Sequence, residues 1–350
     1  MNTHPLVVRF GALGDMVILT VAIRHLHARF GSSVDIIGSG DWTRPLLEGQ
    51  PGVGEIHTIA SRKRPYGLSL EQHRLTSWLR RRSPGPTWLF DHDNVKICAL
   101  LERAGWTAAH WCHHEDLSGL ANSHFCDRWL NFSFRDPPVL GGQDLPVTAS
   151  DAFGELTVTD AQRADVARWM QRRGWADGII LVQIGNKRTM RRGVRRRRSN
   201  SKYWPEKNWA QVVRGLHELH PDHEILLLGV PQESALNETV LRLAAVPRAH
   251  NVVHELSIPR LMGLSERATG MVSVDTGPAH LAAAVGCTVV TLFGITAPFM
   301  YAPRGRHAVV ECLVGERDGT RSMVFIEPAA VMDAWCRAVV DRASIEPVVA

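Results

Sequence analysis

Short runs of aliphatic and β-branched residues alternate along the chain with longer stretches of helical period, the signature of buried strands between amphipathic helices. The first run, Leu6 to Phe10, ends in a glycine turn and leads into a helix from about Asp15 to Phe30. Residues 34–37, 55–59 and 88–90 read as further strands, with helices near 68–82 and 94–104. The pattern then decays, and Asp136 to Pro146 is the stretch richest in Pro and Gly, which makes it the expected linker.

The alternation resumes with a helix over 160–173, a strand over 179–184 and a helix opened by Pro205, a position where proline is welcome. Strands over 224–228, 251–253, 271–274 and 288–293 follow, with a helix through Val240, one opened at Pro259 and one over 278–285. A last amphipathic helix covers about 328–342. Two successive βαβ series predict an α/β protein of two doubly wound, Rossmann-like parallel-sheet domains. The expected boundaries are 1–150 and 151–325, with a C-terminal helix over 326–350 packing back toward the first domain.

The length of 350 residues agrees with two domains. No apolar run reaches the ~18 residues of a membrane-spanning helix, and the first residues show no signal region, so the expected location is cytoplasmic. The charge refines this picture. Lys+Arg number 40 against 35 Asp+Glu, and residues 187–198 alone hold eight of the basic ones and no acid. The rest of the chain is slightly acidic, so one concentrated cationic loop stands out, and such a loop seeks an anionic partner. The six cysteines form no C-x-x-C pair and read as reduced thiols. The cluster His110, Cys112, His113, His114, His124 and Cys126 has the atoms for a zinc site, but its spacing matches no familiar finger.

Two strand-to-helix turns carry candidate chemistry. In the first, Arg9-Phe10-Gly11-Ala12-Leu13-Gly14-Asp15, Gly11 and Gly14 let the backbone turn tightly and keep it open to a ligand. Asp15 stands at a helix start, as a simple cap or as a carboxylate at the carboxyl end of a central strand, where ligands bind in such sheets. In the second, Asp275-Thr276-Gly277-Pro278-Ala279-His280, the amides at Gly277 and beyond and the Thr276 hydroxyl suit a phosphate. Lys202 ends the basic loop on the same sheet edge as Asp275 and suits a diphosphate.

The G-A-L-G-D turn, Lys202-Tyr-Trp-Pro205, Gly229-Val-Pro-Gln-Glu233 and the block Asp275-Thr-Gly-Pro-Ala-His-Leu-Ala-Ala-Ala284 running to Leu292-Phe-Gly294 resemble glycosyltransferase family 9, the ADP-heptose:lipopolysaccharide heptosyltransferases. The resemblance runs from about residue 5 to 340. It implies a GT-B fold whose domains face across a cleft, an N-terminal domain for the acceptor and a C-terminal one for the nucleotide sugar. It also implies inverting transfer without metal or cofactor. Asp15 would be the general base; Lys202, Asp275, Thr276, Gly277 and His280 would hold the donor, and Glu233 its ribose. The expected partners are ADP-heptose and an anionic glycolipid, with a protein or secondary metabolite as another acceptor.

The sequence departs from the family at Ile184-Gly185, where Pro-Gly is usual, and in the longer, more basic loop that follows. Arg195, Arg196, Arg197 and Arg198 read as a solvated loop, a clamp for acceptor phosphates or a contact with an anionic membrane surface. A nucleic-acid-binding protein is the reading from another class; a single patch without interleaved aromatics argues against it. Asp91-His92-Asp93, superficially like the metal-binding D-x-D of the other glycosyltransferase fold, reads as a turn.

Overall fold

The computed structural model describes residues 4–60, 65–114, 122–141, 151–175, 178–186 and 202–345. The chain divides into two compact units, Met1–Gly154 and Glu155–Ala350. The basic residues 187–198, and with them the expectations placed on Arg195 to Arg198, lie outside the described residues.

The first unit holds a parallel sheet of β1 (Leu6–Val8), β2 (Val34–Gly38), β3 (Val53–Thr58), β4 (Thr87–Leu89) and β5 (Trp111–His113), in the order β3-β2-β1-β4-β5. Its central strands are wholly buried, as a parallel sheet covered on both faces requires. Leu6, Val8, Ile37 and Leu89 pack with Leu79, Leu101, Trp106 and Trp111 in one core. β5 and the helix Phe125–Ser133 stand where the hydrophobic pattern decays. β5, Trp-Cys-His, holds no aliphatic or β-branched residue to mark it as a strand, unlike the equally short β1 and β4.

The second unit holds a six-stranded parallel sheet of β6 (Ile179–Gln183), β7 (Glu224–Leu227), β8 (Ala249–Asn251), β9 (Gly270–Val274), β10 (Val289–Phe293) and β11 (Val310–Val314), ordered β11-β10-β9-β6-β7-β8. The sequence pattern missed β11, an edge strand that is only partly buried. The last helix, Pro328–Ile345, packs on the helix Glu206–Leu219 and on β10 and β11, burying Trp335 in the second unit's core.

In each sheet the strand order reverses once. Chain order runs β1, β2, β3 to one side and then β4, β5 to the other; in the second sheet it runs β6, β7, β8 and then β9, β10, β11. The reversal points lie between β1 and β4 and between β6 and β9, and ligands bind outside the carboxyl ends of strands at such points. No helix among the described residues is long and apolar enough to cross a membrane.

Candidate functional site

Both candidate turns lie at these reversal points. After β1 the chain turns into the helix Leu13–Phe30, with Asp15 in its first turn. Asp15 Oδ2 accepts the Ala12 N–H at 2.7 Å, so the capping role is real. Oδ1 accepts from Arg9 Nη2 at 2.9 Å. A Cβ on Gly11 would overlap the Asp15 side chain, so glycine is required for the loop to fold onto its own carboxylate. Gly14 is buried in the helix's first turn. The Asp15 side chain remains 35% exposed, while its partner Arg9 is only 14% exposed.

Arg9 reaches further. Its Nη1 donates to the Phe90 carbonyl and to Asp91 Oδ1, both at 3.0 Å, across the β1–β4 reversal point. The guanidinium lies over the Trp129 ring, 4.9 Å from its centroid. Asp91 therefore does more than turn the chain, and nothing in the local sequence marked it or Arg9 as a pair. Burial first, then the nearby His92, Arg9 and Arg128, lowers the His114 pKa to about 4, so a neutral imidazole stands beside this cluster.

In the second unit Lys202 Nζ donates to Asp275 Oδ2 at 2.5 Å and to the Asp275 carbonyl at 3.0 Å, across the β6–β9 reversal point. Thr296, which sequence reasoning missed, donates to the same Oδ2 at 2.8 Å from the loop after β10. The lysine is placed by its neighbours. Trp204 is buried against Trp209 and donates its ring N–H to the Ile326 carbonyl, and Pro205 caps the helix Glu206–Leu219. The Asp275 side chain is only 8% exposed and Lys202 18%.

Thr276 is the extended N-cap of the helix Gly277–Ala284, yet its hydroxyl makes no capping bond. With proline at the second helical position, Gly277 carries the leading amide of a terminus whose dipole favours anions. His280 lies buried in that helix.

Glu233 is 2% exposed, with its carboxylate turned inward between Gly185 and Gly229. Oε2 accepts the Val230 N–H at 3.0 Å, the Gln183 side chain lies near, and Oε1 makes no well-formed hydrogen bond among the described residues. Burial raises its pKa. A Cβ at either glycine would overlap this carboxylate, which accounts for Gly185 and for Gly229 at φ +144°.

The histidine–cysteine cluster does not assemble: among the described residues no group of three or more His, Cys, Asp or Glu gathers to hold a metal. His124 caps the helix Phe125–Ser133, His110 turns onto Thr107, and Cys126 is buried. None of the six cysteines forms a disulfide, and burial pushes Cys98 up to about 11 and Cys287 and Cys312 up to about 12.

A model described as glycosyltransferase family 9 (heptosyltransferase) matches residues 193–323. The chain is 29% identical over 306 residues to lipopolysaccharide heptosyltransferase 3 of Escherichia coli, covering 83% of each chain. It is 22% identical over 330 residues to lipopolysaccharide heptosyltransferase 2 of Salmonella typhimurium, covering 86% of each. Among solved structures it is similar to the E. coli ADP-heptose lipopolysaccharide heptosyltransferase II, with a TM-score of 0.72 and 19% identity over 97% of this chain and 100% of that one. That likeness shows the fold, the paired parallel-sheet domains of the GT-B class.

Proposed function

We propose that this glycosyltransferase, similar to the family 9 heptosyltransferases, moves heptose from ADP-heptose to a hydroxyl of the lipopolysaccharide inner core, inverting the anomeric carbon with Asp15 as general base. The observation that carries this reading is the gathering of Lys202, Asp275 and Thr296 beside the first turn of the helix Gly277–Ala284. The names of the similar proteins supply the donor and acceptor classes.

As the bond to the diphosphate breaks, negative charge grows on the departing ADP. A fixed ammonium and a helix N-terminus stabilise that charge where it develops, without reorganising. A diphosphate leaves readily, so one carboxylate suffices: Asp15 takes the proton of the attacking hydroxyl. Asp275 holds the lysine in place and Thr276 offers its hydroxyl to a phosphate. Glu233 Oε1, a buried acceptor with no well-formed hydrogen bond among the described residues, suits a ribose hydroxyl. The transfer needs no metal or cofactor in this scheme, because Lys202 and the helix terminus carry the positive charge. Arg195 to Arg198 would meet acceptor phosphates or the inner face of the cytoplasmic membrane.

The test is incubation with ADP-, UDP- and GDP-sugars and a heptose-deficient lipopolysaccharide acceptor, followed by nucleotide release and NMR of the new linkage. ADP release with inverted anomeric configuration is expected. Release from a UDP- or GDP-sugar alone, or retained configuration, contradicts the proposal.

A further inference from the structure

Both oxygens of the Asp15 carboxylate are held, one by its own loop and one by Arg9. Arg9 is in turn held by Asp91, and Asp91 Oδ2 also accepts the Phe10 N–H at 2.8 Å. The buried Asp91 thus fastens the chain after β1 twice, through the Phe10 backbone and through the Arg9 side chain. The Trp129 ring packs against the guanidinium. A base must lie within hydrogen-bond reach of its proton, and a displacement of 1 Å can cost about 100-fold in rate.

Charge gives Asp91 a second task. A guanidinium paired with Asp15 alone would cancel the carboxylate that has to accept a proton. Shared between two carboxylates, it leaves the three side chains with one net negative charge, and of the two carboxylates Asp15 is the more exposed. Arg9 can then orient Asp15 without neutralising it.

We propose that Asp91, acting through Arg9, is a positioning residue for the base Asp15. The proposal rests on Asp15 being the base. The test is a double-mutant cycle with Asp91→Asn, which keeps the shape and removes the charge, measured in wild-type and Asp15→Asn backgrounds. An unchanged circular dichroism spectrum and thermal melt are the folding control for the first unit, and bound ADP for the second.

In the wild-type background kcat is expected to fall about tenfold, with the KM for the donor unchanged. In the Asp15→Asn background the same change is expected to cost nothing further, since partners in one network do not add. The proposal is overturned if kcat is unaffected by Asp91→Asn, or if it falls equally in both backgrounds. Full turnover in Asp15→Asn alone would instead remove the base reading. Arg9→Lys, which keeps a charge but cannot fork between two carboxylates, should reproduce the Asp91→Asn loss; wild-type kcat in Arg9→Lys overturns the route through Arg9.

Discussion

The two turns are built from the same parts with opposite polarity. Each follows a strand at a reversal point, opens a helix and pairs an aspartate with a cation. In the first unit the cation is the buried member and the carboxylate keeps 35% of its surface; in the second the carboxylate keeps 8% and the ammonium 18%. One turn therefore presents negative oxygen held by a hidden arginine. The other presents an ammonium held by a hidden aspartate. The first arrangement suits taking a proton and the second receiving a phosphate, so under the proposed function the buried partner would set each turn's chemistry.

This contrast predicts different losses from similar substitutions. Asp15→Asn should lower kcat by about 100-fold or more while the donor KM holds, measured by steady-state ADP release. Next in size is a pH effect on stability to which His114 contributes, alongside the likewise buried His25. His114 is held neutral, with a pKa of about 4 in the fold against 6.5 unfolded. The unfolded chain therefore binds the proton first, and stability is lost as pH falls from about 6.5 toward 4, by about 3 kcal/mol at most. His114→Gln should flatten that decline in thermal melts between pH 7 and 4.5.

In the second unit Gly185→Ala drives a Cβ into Glu233, and a loss of about 1–3 kcal/mol is expected, the scale of overpacking, together with weaker ADP binding. An unchanged melting temperature would mean that Glu233 is free to move. The smallest effect belongs to Thr296→Val, which removes one hydrogen bond of about 1 kcal/mol from Asp275 and should weaken ADP binding a few-fold.

Much of this was legible in the chain. Asp15, Lys202 and Asp275 each stand in a local pattern of strand end, turn residue and helix start, and the structure brings Lys202 and Asp275 into contact. Their partners were not legible. Arg9 meets Asp91 across 82 residues because β1 pairs with β4 and aligns Val8 with Leu89. Thr296 reaches Asp275 only because β10 lies beside β9. Local spacing carries no information on which strands become neighbours. The need for glycine at 185 was hidden for the same reason: the carboxylate that fills its empty side arrives from the turn after β7. β5 was missed because Trp-Cys-His holds no aliphatic or β-branched residue, and β11 because a half-buried edge strand leaves no clear period.

The opposite polarity of the two turns is tested most directly by calorimetric titration of ADP into the wild-type protein, Asp15→Asn and Lys202→Met. The dissociation constant of Asp15→Asn should stay within about a factor of two of wild type, because its carboxylate does not hold the donor. That of Lys202→Met should rise by about tenfold or more, the worth of a charge-assisted hydrogen bond. Wild-type affinity in Lys202→Met, or a comparable loss in Asp15→Asn, would contradict the assignment of the two turns.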